Sequence, residues 1–219
     1  MSTTFSRRSP SGRYQELVAH YRTMHREGER FQNQPPEKTF SGHSLLRHVP
    51  LIKQLIELHQ ARTLLDYGAG KGVPYQKVRI EMADSRTFSS IKAYWGVDQL
   101  VCYDPAYEPF RQLPVGTFDG VISSDVLEHC PQDDLTWIVE EMFGYARKFV
   151  FANVACYPAM KRLPTGENAH ATVRPAAWWQ ALFADIGAKF PEVRYAVSMD
   201  EPRVRHDGKR DIQSTMVEG

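Results

Sequence analysis

A short apolar strand followed by three glycines at alternate positions is the feature that most constrains how this chain of 219 residues can fold. The strand delivers Asp66, and Gly68, Gly70 and Gly72 follow it. Glycine allows a sharp turn and leaves no Cβ in the way of a ligand. The pattern is therefore typical of parallel-sheet proteins whose backbone approaches an adenosine-type cofactor, and a tight turn that binds nothing is the alternative. The dinucleotide pattern G-x-G-x-x-G needs a glycine where this chain has Val73, which disfavours a nicotinamide dehydrogenase.

Six apolar segments separated by amphipathic stretches predict the strands of a mostly parallel α/β sheet. They are residues 63–66, 100–103, 119–123, 148–154, 193–199 and 211–217. The stretch between Asp104 and Phe118 is too short for a helix and a further strand, because a parallel crossover takes a dozen or more residues. We therefore expect the sheet to be shortened around the usual third strand, with a loop in its place.

The helical spacing of apolar residues predicts four helices. They are residues 14–24, a segment from Ser44 or Pro50 to just before Thr63, residues 135–143 opened by Asp133 or Asp134 as the capping residue, and residues 175–187 opened by Pro175. The first two precede the sheet. We expect residues 1–60 to form an N-terminal helical cap or lid, and residues 61–219 to form the α/β core.

Composition excludes several classes of partner. Lys and Arg number 27 against 26 Asp and Glu, which gives no electrostatic footprint for nucleic acid or an anionic membrane. The three cysteines, Cys102, Cys130 and Cys156, are far apart and form no C-x-x-C pair, which favours reduced thiols and a cytoplasmic location. No segment approaches the roughly 20 apolar residues of a membrane span.

Two motifs together resemble the class I methyltransferases that depend on S-adenosylmethionine (SAM). The pattern D-x-G-x-G-x-G at 66–72 resembles motif I of that family, and FDGVISSDVLEH at 118–129 is similar to its fourth-strand motif, in the right order. The resemblance covers about residues 60–155. It implies a Rossmann-like fold, SAM as the methyl donor and S-adenosylhomocysteine (SAH) as the product. It also implies that Ser123, Ser124 and Asp125 line the methionine half of SAM and that His129 faces the substrate.

The second strand ends at Asp104, where a carboxylate can accept hydrogen bonds from both ribose hydroxyls of such a cofactor. An Asp-Pro turn with Pro105 is the alternative, and Asp98 takes the ribose role if the strand lies earlier. The acidic motif that normally marks the adenine pocket is missing. The predicted cofactor residues are Asp66, Tyr67, Gly68, Gly70, Asp104, Pro105, Ser124 and Asp125.

Four titratable residues are expected to meet beside this site: Asp125, Glu128, His129 and His170. His129 or His170 is the predicted catalytic base, because imidazole titrates near neutral pH. Two carboxylates and two imidazoles can also hold a divalent ion such as Mg²⁺, and the segment resembles the acidic-x-x-Glu-His metal site of some small-RNA ribose methyltransferases and ubiquinone-pathway O-methyltransferases. The alternative is a helix start with Glu128 turned to solvent, so the primary prediction includes no metal.

A long loop around residues 155–179 is expected to bind the substrate, because loops of this length are usually binding elements. The predicted substrate residues are Tyr157, Asn168 and Trp178, and one of the adjacent tryptophans 178 and 179 should face inward. In the cap, Tyr14, Tyr21, His25 and residues 40–43 could close over the site or only cover the sheet.

The sequence therefore predicts a SAM-dependent methyltransferase that moves a methyl group to an O, N or S atom of a small-molecule acceptor. Two alternatives stay open. One is a divalent-metal-assisted O-methyltransferase acting on a ribose or catechol-like hydroxyl, and the other is a catalytically silent SAM-binding partner protein. No nucleic acid or membrane partner is expected, and a homodimer is left open.

Overall fold

A computed structural model of the chain describes residues 5–77, 80–81, 86–204 and 210–219. The strands are β1 (Thr63–Tyr67), β2 (Ile80–Glu81), β3 (Thr87–Phe88), β4 (Gln99–Tyr103), β5 (Phe118–Ser124), β6 (Ala146–Ala155), β7 (Arg194–Val204) and β8 (Arg210–Glu218). Six of them form one sheet in the order β4-β1-β5-β6-β7-β8, and β2 pairs with β3 separately. All six predicted strands are confirmed, with ends that differ by a few residues.

The sheet is parallel from β4 through β7, and β8 runs antiparallel to β7 at one edge. Strand β4 forms the other edge. Between β4 and β5 the chain makes only a 3₁₀ turn at Glu108–Phe110, so the sheet is shortened there as expected. These features give a Rossmann-like α/β fold.

The described residues form five α-helices around the sheet: α1 (Gly12–Glu27), α2 (Val49–Leu58), α3 (Ile91–Trp95), α4 (Gln132–Tyr145) and α5 (Ala176–Gly187). Two predicted helix starts are wrong. Pro131 stands in the N-cap position of α4, and Asp134 lies within the first turn, where its buried carboxylate accepts hydrogen bonds from the Ser11 N–H and the Trp137 indole. Pro175 is likewise the N-cap residue of α5 and not its first helical residue.

The core lies in two layers, one on each face of the sheet. Neighbouring residues of a strand point to opposite faces, so Val121 packs with α4 and α5 whereas Ile122 packs with α2 and α3. Trp179 of α5 is fully buried in the first layer and Trp178 is half-buried, which confirms that one tryptophan of the pair faces inward.

A third, smaller apolar cluster joins α1 to the loop between β6 and α5 through Leu17, Met24, Leu163 and Ala169. The N-terminal end of α1 is fixed by the contact of Ser11 with Asp134 described above. These contacts place α1 beside the carboxyl ends of the strands. In the part of the chain that the structure describes, no helix is both long and apolar enough to cross a membrane.

Candidate functional site

A pocket of about 240 Å³ lies at the carboxyl ends of β1, β4 and β5, under α1 and the segment that follows it. Parallel α/β sheets bind ligands at this edge. Seven of the eight predicted cofactor residues line the pocket: Tyr67, Gly68, Gly70, Asp104, Pro105, Ser124 and Asp125. The expected lid residues Tyr14, Tyr21, His25 and 40–43 line it from the other side.

Asp66 is the predicted cofactor residue that does not line the pocket. Its side chain lies on the face of β1 opposite to that of Tyr67. It is nearly fully buried and accepts a hydrogen bond of 2.7 Å from the Tyr75 hydroxyl. Burial raises the pKa of Asp66 to about 7. Its contacts are therefore with the α2 and α3 side of the sheet and not with the pocket.

The N–H groups of the glycine loop form hydrogen bonds within the protein. Gly68 and Ala69 donate to the Tyr103 carbonyl at 2.7 and 3.0 Å, Gly70 donates to Asp104 at 2.9 Å, and Lys71 donates to the Phe40 carbonyl at 2.8 Å. The helix that directly follows the loop is a short 3₁₀ helix, Val73–Gln76. A pyrophosphate needs free N–H groups at a helix N-terminus, so this loop does not suit a dinucleotide. Among the described residues, none donates a hydrogen bond to the Gly68 carbonyl oxygen, which leaves an acceptor suited to a cationic group.

Asp104 holds the loops after β1 and β4 together. Its carboxylate accepts hydrogen bonds from the N–H groups of Gly70, Ala106 and Tyr107 at 2.9, 2.9 and 3.1 Å. Burial raises its pKa to about 6. Three N–H donors leave one of its roughly four acceptor positions for a ligand, so the turn and the ribose contact are compatible. Asp98, the reserve candidate, precedes β4 and pairs with Arg62 at the opposite end of the strand.

The structure brings Asp125, His129 and His170 together, with one ligand atom from each within 4.8 Å of the others. Nδ1 of His129 lies 2.8 Å from the Ala169 carbonyl, and Nδ1 of His170 lies 2.5 Å from the Tyr157 carbonyl. A carbonyl only accepts, so each Nδ1 carries the hydrogen and each Nε2 keeps its lone pair. Both rings therefore have an unprotonated nitrogen available for a proton or a metal.

The charges at this cluster follow from burial. Burial lowers the pKa of His129 to about 4 and also lowers the pKa of His170, so both rings are neutral at pH 7. Burial alone would raise the pKa of Asp125, but His129, the Glu128 carboxyl and His170 lower it on balance. Asp125 also has a φ of 61°, a left-handed conformation that is costly for a residue other than glycine and is common at functional sites.

Glu128 is fully buried, so the alternative in which it turns to solvent is wrong. One of its carboxyl oxygens accepts a hydrogen bond of 2.7 Å from the Ala155 N–H. Burial and the charge of Asp125 raise its pKa well above the usual range. Glu128 lies outside the three-residue group whose ligand atoms converge, and its carboxyl group interacts with that of Asp125.

Four of the predicted catalytic and substrate residues do not line the pocket: His170, whose cluster is described above, and Tyr157, Asn168 and Trp178. The Asn168 side chain bonds the Ala159 N–H, the Ala159 carbonyl and the His170 N–H, and thereby fixes the loop that carries His170. Tyr157 supplies the carbonyl that orients His170. Trp178 packs against the core beside Trp179, with ring centroids 5.0 Å apart. Tyr157 and Asn168 support the site through the loop that carries His170, and Trp178 supports it through the core.

Sequence reasoning missed two lysines that line the pocket, Lys38 and Lys161. Their positions in the cap and in the long loop were the available signals, but nothing in the local pattern shows that both reach the pocket. It also did not foresee that Tyr21 of α1 reaches the histidine cluster. The Tyr21 hydroxyl donates to the Ala169 carbonyl at 2.7 Å and lies 3.2 Å from Nδ1 of His129.

Comparison with known proteins identifies no family. No protein-family model matches this chain, and no curated protein is significantly similar to it in sequence. The resemblance to class I methyltransferases therefore stays a prediction, and the function has to be inferred from the pocket itself.

Proposed function

We propose that this protein is a SAM-dependent methyltransferase that transfers a methyl group to an O, N or S atom of a small molecule. One observation carries the proposal. A single pocket at the carboxyl edge of the sheet is lined by the glycine loop and Asp104 on one side and by Asp125 and His129 on the other. That arrangement sets the pocket beside the neutral imidazole of His129, and His170 belongs to the same cluster without lining the pocket.

The polar atoms that the protein leaves unsatisfied fit a cofactor with hydroxyl, amino and carboxylate groups. The buried hydroxyl of Ser124 and Nδ1 of His25 have no hydrogen-bond partner among the described residues, and both residues line the pocket. Buried polar atoms normally have partners, so a ligand is a natural source of them. The Gly68 carbonyl suits the ammonium of the methionine half, and the remaining acceptor position of Asp104 suits a ribose hydroxyl.

Bound SAM would supply an electrophilic methyl group on a sulfonium. The task of the chain is then to hold the acceptor in line and to take its proton, because positioning supplies much of the rate in such displacements. Nε2 of His129 or His170 is unprotonated and can accept that proton. Asp125, beside both rings, would stabilise the imidazolium that results.

A second candidate is a divalent-metal-assisted O-methyltransferase. The observation that favours it is the hydrogen bond from each Nδ1 to a backbone carbonyl, since metal-binding histidines usually donate their other N–H in this way. Asp125, His129 and His170 would hold the ion, and two imidazoles with one carboxylate suit several divalent metals. The ion would lower the pKa of an acceptor hydroxyl.

The test is a calorimetric titration of the purified protein with SAH, in Mg²⁺ and in EDTA. Ser124→Ala should weaken SAH binding by about three- to tenfold, the worth of one hydrogen bond. Ser123→Ala is the matched control, because Ser123 is the neighbouring buried serine and does not line the pocket. The absence of SAH binding by the wild type in both buffers would refute the proposal.

Further measurements separate the alternatives. If the metal assists, Mn²⁺ alone should bind the wild type and not His170→Ala. If the protein is a silent SAM-binding partner, SAH binds but labelled SAM transfers no label to any small molecule of a cell extract.

A further inference from the structure

Two cationic side chains line the pocket that also contains His129. Lys38 is exposed and Lys161 is half-buried, and both line the pocket. Within the described ranges, neither Nζ forms an ion pair or a hydrogen bond. The Nζ of Lys161 lies 5.7 Å from the centroid of the Phe40 ring, which is within the range of a cation–π contact.

The backbone of Lys161 is fixed in the loop that carries His170. The Ala169 N–H donates to the Lys161 carbonyl at 3.1 Å, and Arg162 and Asn168 form an isolated bridge next to it. The side chain of Asn168 closes the same loop. Lys161 and His170 therefore have a defined spacing, although the lysine side chain itself can move.

The Phe40 ring lies close to both Lys161 and His129. Its ring centroid lies 6.0 Å from that of His129 and 5.6 Å from that of Tyr21. Its φ is 51°, a left-handed conformation that is unusual for a bulky residue and costs energy. The bond from the Lys71 N–H to its carbonyl holds it against the glycine loop. This strained aromatic residue therefore contacts both the glycine loop and the histidine cluster.

We propose that Lys161, assisted by Lys38, forms an anion-binding subsite, and that the methyl acceptor is a small molecule with a carboxylate or phosphate group. Of the two acidic residues that line the pocket, Asp125 faces His129 and His170, and Asp104 binds three backbone N–H groups. An acceptor with one anionic end would place that end at Lys161 and its nucleophilic atom near Nε2 of the histidines. The charge of Lys161 reaches both rings, since it contributes to lowering the pKa of each.

This inference rests on the proposed function, because it assigns the pocket beside the cofactor to the acceptor. It is tested with three probes of similar size, namely benzoate, phenyl phosphate and the neutral benzamide. Binding of each to the full chain is measured by calorimetry with and without saturating SAH. The variants are Lys161→Met, Lys38→Met and, as the control for net charge, Lys92→Met, whose lysine is exposed on α3 and outside the pocket.

We expect at least one anionic probe to bind ten times more tightly than benzamide. Lys161→Met should abolish that preference, Lys38→Met should reduce it, and Lys92→Met should leave it unchanged. A preference for phenyl phosphate over benzoate identifies a phosphate acceptor, and the reverse identifies a carboxylate. Thermal unfolding confirms that each variant is folded.

Equal binding of charged and neutral probes, or a preference that survives in Lys161→Met, would overturn the inference. The two proposals fail separately. If SAH binds but no anion is preferred, the subsite is wrong and the cofactor assignment stands. If anions bind through Lys161 but SAH does not bind, the subsite stands and the methyltransferase proposal fails.

Discussion

Arg7 fixes the segment before α1 to the body of the protein, and its replacement should loosen the cap. Its guanidinium donates to the Glu141 carboxylate of α4 and to the Tyr67 hydroxyl, the latter at 2.7 Å. It also lies over the Trp137 ring, 4.7 Å from the centroid. Arg7→Met keeps an aliphatic contact with Trp137 and removes the charge and the hydrogen bonds.

The size of the effect follows from the burial of the pair. The side chains of Arg7 and Glu141 are 27% and 17% exposed. Breaking a fully buried pair costs about 3–5 kcal/mol and a surface pair contributes at most about 1 kcal/mol, so an intermediate cost of about 2 kcal/mol is expected. That corresponds to a change of about 30-fold in an equilibrium constant.

Because Arg7 belongs to the segment before α1 and ties that segment to α4 and to the end of β1, the cost should appear as local opening of the cap. The assay is native-state hydrogen exchange. In Arg7→Met the amides of α1 should exchange about 30 times faster than in the wild type, and those of β5 and β6 should change little. Arg8→Met is the control, since Arg8 is exposed and forms no hydrogen bond or ion pair within the described residues.

Two results would refute this reasoning. One is exchange of α1 in Arg7→Met within threefold of the wild type. The other is acceleration of β5 by the same factor as α1, which would mean that the pair stabilises the whole fold. The double variant Arg7→Met/Glu141→Gln should recover part of the loss, because it leaves no unpaired carboxylate.

Three further predictions concern the core and the glycine loop. The pKa of Asp66 is raised from 3.8 to about 7 by burial, so folded protein keeps a proton that unfolded chain releases. The free energy of unfolding therefore falls as pH rises from about 4 to 7, by up to roughly 4 kcal/mol. Asp66→Asn should have a higher melting temperature than the wild type at pH 8 but not at pH 4. Gly68→Ala should lower the unfolding free energy measured in urea by about 2–3 kcal/mol, because φ is +89° and a Cβ would lie 2.4 Å from the Val126 side chain. Gly144→Ala is the control and should not destabilise the protein, because a Cβ there would have no atom within 4 Å. Phe183→Ala empties a fully buried site and should lower the unfolding free energy measured in urea by about 3–5 kcal/mol; a loss below 1 kcal/mol would contradict the packing described.

The strands were predictable because a buried parallel strand is a short apolar run bounded by turn residues, and such a run is a local signal. The start of α4 was not, because its cause is distant. An Asp in the first turn usually caps its own helix, but Asp134 receives the N–H of Ser11, which lies 123 positions away in the chain. No local pattern contains that contact.

The site could be predicted in part for a similar reason. Parallel strand ends meet at one edge, so the positions of Gly68, Asp104 and Asp125 followed from the strand assignments. The alternation of side chains along β1 could also have shown that Asp66 and Tyr67 face opposite sides, and that only one of them reaches the pocket. The placement of Lys161 and Phe40 in the pocket could not be predicted, since it depends on loop contacts and on a left-handed backbone angle.

The partners of α1 have a consequence for the order in which the protein folds during its synthesis. Ser11 bonds to Asp134, and Tyr21 bonds to the Ala169 carbonyl, so the contacts of this helix span 123 and 148 positions. Non-local contacts form late because the intervening chain must first be closed into a loop. During synthesis, α1 leaves the ribosome before these partners do, so it has to wait for residues beyond 169 before it can dock. The pocket is therefore completed only after most of the chain has been translated.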